Sequence, residues 1–148
     1  MTLGVTSAAF ADGETIAQQY TCDGANTSPP LDISGIPPDA TELALIMEDP
    51  DAPGGTFVHW VLWGVDAAVA SLPEDGIPDG AVSGSTSFGG VSYGGPCPPA
   101  GDPHHYVFTI YALSESPGVA PGASADDLRA AIDGSILAEG SLTGLYGR

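Results

Sequence analysis

The chain contains no lysine, and Arg129 and Arg148 are its only strong bases. Against these two stand 19 Asp and Glu residues, which gives a formal net charge of −17. Nucleic-acid binding requires Lys and Arg to displace counterions from phosphates, so that class of function is excluded. Docking on an anionic membrane through a basic patch fails for the same reason. No apolar run approaches the ~20 residues of a membrane span. Met1–Phe10 lacks the basic start and long apolar stretch of a secretory signal, so the expected location is a cytoplasm, and a salt-rich one. Cysteine is scarce as well. Cys22 and Cys97 stand 75 positions apart and form no Cys-x-x-Cys motif. A reducing cytosol would keep both as free thiols.

What the chain does have is a globular composition. Its 148 residues fit one domain, 1–148, and 43% of them are hydrophobic, too many for a disordered acidic tail. The 21 glycines and 14 prolines suit strands joined by many turns better than a helical bundle. Glu42–Asp49 (ELALIMED) reads as a buried strand. Phe57–Val65 (FVHWVLWGV) is the clearest strand. Alternation puts Phe57, His59, Val61 and Trp63 on one face and Val58, Trp60 and Leu62 on the other. Both faces are apolar, which predicts a central strand covered on both sides. Tyr106–Leu113 (YVFTIYAL) is rich in β-formers, and Thr2–Phe10 and Ile136–Tyr146 read as weaker strands. Asp12–Pro30 and Ala67–Tyr93 read as turns and loops. One helix is predicted, with Ser124 as N-cap, Leu128, Ala131 and Ile132 as its apolar stripe and Gly134 as its stop. The sum is a mainly β, antiparallel protein with little helix.

Three segments carry polar groups in restrained settings. Asp49-Pro50-Asp51-Ala52-Pro53 places two carboxylates in a proline-stiffened turn at a strand end. There an Asp can bond its own backbone or serve a site. His59 shares a face with apolar neighbours, and if the two strands flanking the connection pair, Asp49 can reach its ring and favour the imidazolium. Gly94–Tyr106 (GGPCPPAGDPHHY) is a stiff loop whose amides can face a ligand. At its end His104 and Tyr106 point to one side of an extended chain.

The ordered set DPDAP (49–53), HW (59–60), GGPCPPAGDPHHY (94–106) and VFTIYAL (107–113) resembles the phosphatidylethanolamine-binding proteins. YTCDGANTSPPL (20–31) resembles their bacterial and archaeal Raf-kinase-inhibitor-like branch. The resemblance implies a large antiparallel sheet packed on a smaller one, with one or two short helices. It also implies a pocket for phosphate, phospho-headgroups, acetate or similar anions, in a family whose members are described as inhibitors or scaffolds for kinases and proteases. Residue by residue, it implies that Asp49, His59, His104 and Tyr106 supply pocket side chains and that Gly95 and Cys97 supply pocket-lining backbone. Tyr146 would be a C-terminal aromatic of the site. Where the family has Arg between His and Tyr, this chain has His105, so an ion pair on the opposite face becomes dependent on pH.

The sequence-based expectation is therefore a binding module for a small anion or phosphorylated ligand, acting as monomer or homodimer, with no cofactor and no catalytic residue. Two other readings compete. One is a hydrolase built on Asp49, His59 and His104 with Cys97 as nucleophile, in a chain without a Gly-x-Ser-x-Gly elbow. The other is a metal protein using Asp49, His59, His104 and His105, although neighbours 104 and 105 point opposite ways in a strand.

The charge generates a prediction of its own. Repulsion among the acidic groups is weakly screened at low salt, whereas the Debye length falls to about 3 Å at 1 M. The thermal unfolding midpoint should therefore rise between 0.1 M and molar potassium chloride. A flat or falling midpoint would contradict a salt-adapted surface.

Overall fold

The computed structural model describes residues 2–148; Met1 lies outside them. The strands are β1 (Gly4–Thr6), β2 (Leu31–Ser34), β3 (Glu42–Asp49), β4 (Phe57–Asp66), β5 (Ser71–Leu72), β6 (Val82–Ser83), β7 (His104–Leu113) and β8 (Ile136–Tyr146). A 3₁₀ turn covers Gln18–Tyr20, and the helix α1 covers Ala125–Ile132. Five strands form a large sheet in the order β6-β4-β3-β7-β8, and three form a small one in the order β1-β2-β5. Every neighbouring pair is antiparallel.

The central position of β3 follows from its composition. Leu43 to Met47 are all buried, so neither face of this strand meets water. On one side the large sheet meets the small one around Leu31, Ile33, Leu45, Trp60, Phe108 and Ile110. On the other, Ala44, Ile46, Val61, Trp63 and Leu113 receive Leu128 and Ile132 of α1. The helix starts where the sequence places it, with the Asp127 amide donating to Ser124 Oγ at 3.1 Å. It ends at Ile132, before Gly134.

Two bulges shape β4. Opposite Leu43 and Leu45 the strand carries an extra residue at Gly64, whose φ of 71° suits glycine. A second irregularity lies opposite Met47 and Glu48, which pair with Trp60 and Val58 and leave His59 without a partner on β3. The outer edge of the sheet is covered too: the N-terminal segment runs along β8, with Leu3 donating to Glu139 O and Ile16 to Leu145 O. A side chain at Gly144 would sit 2.4 Å from Ile16, which explains a glycine there.

Departures from the sequence reading are confined to short elements. Thr2–Phe10 shrinks to the three residues of β1. β5 and β6 lie within the stretch read as loop, and each has only two residues, too few to show a period. No helix among the described residues is long and apolar enough to cross a membrane.

The helix-side core can be tested directly. Leu128 is fully buried against the large sheet, so Leu128→Ala should cost about 2–5 kcal/mol. Ser124→Ala removes only the cap and should cost about 1 kcal/mol. Urea denaturation separates the two, and equal effects would contradict this placement of α1.

Candidate functional site

Asp49 ends β3 and enters the turn before β4. Its Oδ1 accepts from the amide of Asp51 at 2.8 Å, a local turn bond that proline-restricted backbone favours. Its Oδ2 accepts from Nδ1 of His104, the first residue of β7, at 2.6 Å. The carboxylate thus closes its own turn and holds a ring from another strand. The next acid repeats the pattern on the other side. Asp51 Oδ2 accepts from the amide of His105 at 2.8 Å and from its Nδ1 at 2.7 Å. His105 therefore supplies an ion pair when protonated, on an exposed face.

His59 reaches the same region through its bulge. Val61 and Trp63 face α1, as does Val58, whereas Trp60 and Leu62 face the small sheet. The extra residue turns His59 onto the side of Tyr106, with ring centroids 5.2 Å apart. Strict alternation, which groups His59 with Val61 and Trp63, is corrected here. So is the partner. Nδ1 of His59 lies 2.6 Å from the carbonyl of Gly94, not on Asp49. A carbonyl can only accept, so Nδ1 carries the proton, and the neutral ring keeps its lone pair on Nε2. Nδ1 of His104 likewise faces an acceptor, which leaves its Nε2 as the variable atom.

These groups surround a cavity of about 210 Å³. Asp49, His59, Cys97, His104 and Tyr106 line it, together with Ala52, Pro53, Phe57, Phe88, Pro98 and Pro99. Phe57 and Phe88 meet edge-on at 4.8 Å and pack around the His59 ring. Phe57 was legible as a neighbour on the His59 face; Phe88 sits in irregular chain and carried no signal. The His104 and Tyr106 rings stack with centroids 6.4 Å apart. Tyr106 is fully buried, and its hydroxyl has no hydrogen-bond partner. A buried hydroxyl without a partner loses its hydration uncompensated, at about 1–3 kcal/mol.

Two of the expected residues do not line the cavity. The Gly95 amide donates to Asn26 Oδ1 at 2.8 Å, and a side chain there would meet Tyr20 O at 2.1 Å. Gly95 is needed for close backbone approach. Tyr146 pairs with His104 across the sheet, but its hydroxyl donates to Asp23 at 2.6 Å. Cys97 is in the wall but is not a thiol: it is bonded to Cys22, with Cα atoms 5.4 Å apart. The expectation of two free thiols is overturned because the two loops run together, with Cys22 N–H donating to Pro96 O and Tyr93 Oη to Tyr20 O. Separation along the chain held no trace of that approach. The bridge also removes the nucleophile from the hydrolase reading. Among the described residues, no three His, Cys, Asp or Glu side chains gather as metal ligands.

The electrostatics separate the groups. Burial holds the His59 ring below its ordinary 6.5, and the Gly94 carbonyl and Asp49 offset this only in part. The imidazolium expected from a neighbouring carboxylate is therefore outweighed by desolvation. Burial, with Asp49 and Asp51 nearby, pushes the Tyr106 phenol well above its ordinary value, so it remains a donor.

The family model for phosphatidylethanolamine-binding proteins matches residues 6–147. The chain belongs to the phosphatidylethanolamine-binding protein family. A relative from Methanothermobacter thermautotrophicus, named a UPF0098 protein, is 44% identical over 95% of both chains. The fold is matched by the crystal structure of a homologue of this family from Chlamydia trachomatis, with a TM-score of 0.94 and 36% identity over 99% of this chain and 98% of that one. A Mycobacterium tuberculosis relative, LppC, named as a candidate lipoprotein, is 41% identical over 97% of this chain and 72% of its own. Membership accounts for the two antiparallel sheets and for α1, where the resemblance implied one or two short helices.

The state of His59 has a consequence for stability in this family member. Its pKa in the folded protein lies below the unfolded value, so its contribution is full above about pH 6.5 and is lost as pH falls toward the lowered value. The unfolding midpoint of the parent should therefore fall more steeply below pH 6.5 than that of His59→Gln. Superimposable profiles would contradict a buried, neutral ring.

Proposed function

We propose that this chain is a receptor for a small anionic group, a phosphate, phosphoryl or carboxylate, held in the cavity between β3, β4 and β7. The observation that carries the reading is the Tyr106 hydroxyl, a buried donor without a partner in the wall of a cavity. Natural structures rarely leave such a group unsatisfied, and a ligand oxygen supplies the missing acceptor. His104, fixed by Asp49, and His59, fixed by Gly94, frame the same space. Each adds an N–H donor at Nε2 when protonated and presents a lone pair when neutral. The net charge does not forbid capture, because donors act at contact while distant carboxylates are screened.

On this reading the protein binds and does not turn over. A regulatory role toward a protein partner, of the kinase- or protease-inhibitor kind, is the functional extension that family membership supports. The bridge bears on location. A reducing cytoplasm opens exposed disulfides and an oxidising compartment keeps them. The Cys22–Cys97 bond and the name carried by LppC therefore support an oxidising setting over the cytoplasmic one.

Sulfate tests the proposal because its charge is constant near neutrality. Calorimetry should show binding that strengthens as pH falls below about 6.5 toward the lowered pKa of His59, where its ring gains a second N–H donor. Tyr106→Phe should weaken it about tenfold at every pH, the worth of one hydrogen bond to a charged acceptor. His59→Gln should flatten the profile. Undiminished affinity in Tyr106→Phe would remove the observation on which the reading stands.

A further inference from the structure

The bridge between Cys22 and Cys97 has an asymmetric setting. Cys97 is exposed, whereas Cys22 is half-buried. The guanidinium of Arg148 lies over both sulfurs, 2.9 Å from Cys22 Sγ and 3.4 Å from Cys97 Sγ. Asp23 holds it there at 2.8 Å and is itself bonded by the Tyr146 hydroxyl. One of the two arginines in a chain of net charge −17 is thus placed on the disulfide, nearer the sulfur of the less exposed cysteine.

We infer that this bridge is a site of reversible S-thiolation, in which a small thiol attaches to Cys97 and Cys22 is released. Exchange begins when an external thiolate attacks one sulfur and expels the other as thiolate. Access selects Cys97 as the sulfur attacked. The Arg148 cation stabilises negative charge on Cys22, which makes it the better leaving group. The attacking thiolate forms a new S–S bond to Cys97, and the electron pair of the old bond leaves with Cys22. Electrons balance, and no oxidant or reductant is needed beyond the thiol. Reversal requires only attack by the Cys22 thiolate on the mixed disulfide, with departure of the small thiol. Because Cys97 forms part of the cavity wall beside Pro98 and Pro99, the attached group stands at the cavity. An acidic thiol would bring a carboxylate to the His104 side. This last consequence, a covalent gate on anion entry, rests on the anion-binding reading; the chemistry at sulfur does not.

Glutathione is a suitable probe. Folded, oxidised protein is incubated with it, quenched with iodoacetamide and mapped by mass spectrometry. The glutathione adduct is expected on Cys97 and the alkyl group on Cys22, a selectivity that should vanish in urea. Arg148→Gln should slow exchange on the order of tenfold, whereas Arg148→Lys should retain most of the rate. Adducts mainly on Cys22, equal rates in parent and Arg148→Gln, or two free thiols in the unreduced parent would each overturn the inference. Should Arg148→Gln not fold, the position of the adduct in the parent and the rate in Arg148→Lys decide it. Sulfate calorimetry on the Cys97 adduct then tests the gate. Weaker binding than in the parent supports it and equal binding removes it. A parent that binds no sulfate counts against the anion reading, while the mass spectra still decide the thiolation.

Discussion

The carboxylate of Asp49 is bound on both oxygens, one by the Asp51 amide and the other by His104 Nδ1. Through it, a turn between β3 and β4 is tied to the first residue of β7. The strands on either side are held by main-chain ladders, but the ends of strands fray and loops move. The tie fixes the place where the sheet opens into the cavity, and Asp51 repeats it with His105 one residue on. Removing Asp49 leaves the His104 Nδ1 proton without its acceptor and the turn without its internal bond, so position and electrostatics fail together. The Asp49 side chain is only 5% exposed, so little water competes for either contact.

Much of the large sheet was legible because β3, β4, β7 and β8 are long, apolar and rich in β-formers. The ambiguity lay where periodicity has no purchase. His59 is the clearest case. Alternation assigns it to the face of Val61, and one unpaired residue on β4 reverses that assignment. A bulge costs the ladder one pairing and leaves no mark in composition. The candidate site shows the same division. His104 and Tyr106 were readable as a pair, because an i, i+2 spacing in extended chain constrains direction, while the family resemblance implied that Asp49 joins them. Which histidine Asp49 would hold was not readable, since that depends on distances between strands. Gly95 illustrates another limit. The resemblance implied pocket-lining backbone there, but the structure uses the absence of a side chain for close approach to Tyr20.

The two arginines show how sparse positive charge is distributed. Arg129 pairs with Glu48 from the helix side of the large sheet. Arg148 pairs with Asp23 beside the disulfide. Neither lines the cavity, where the histidines are the only basic side chains. On the two proposals, ligand capture takes place within the cavity and thiol exchange on its wall at Cys97.

The claim that Tyr106, His59 and His104 converge on one anion is tested most directly by a crystal structure determined in sulfate at about pH 5.5. The account predicts one sulfate in the cavity, with an oxygen accepting from the Tyr106 hydroxyl and others facing the two imidazoles. A cavity holding only water, with sulfate bound at Arg148 or elsewhere on the surface, would contradict it.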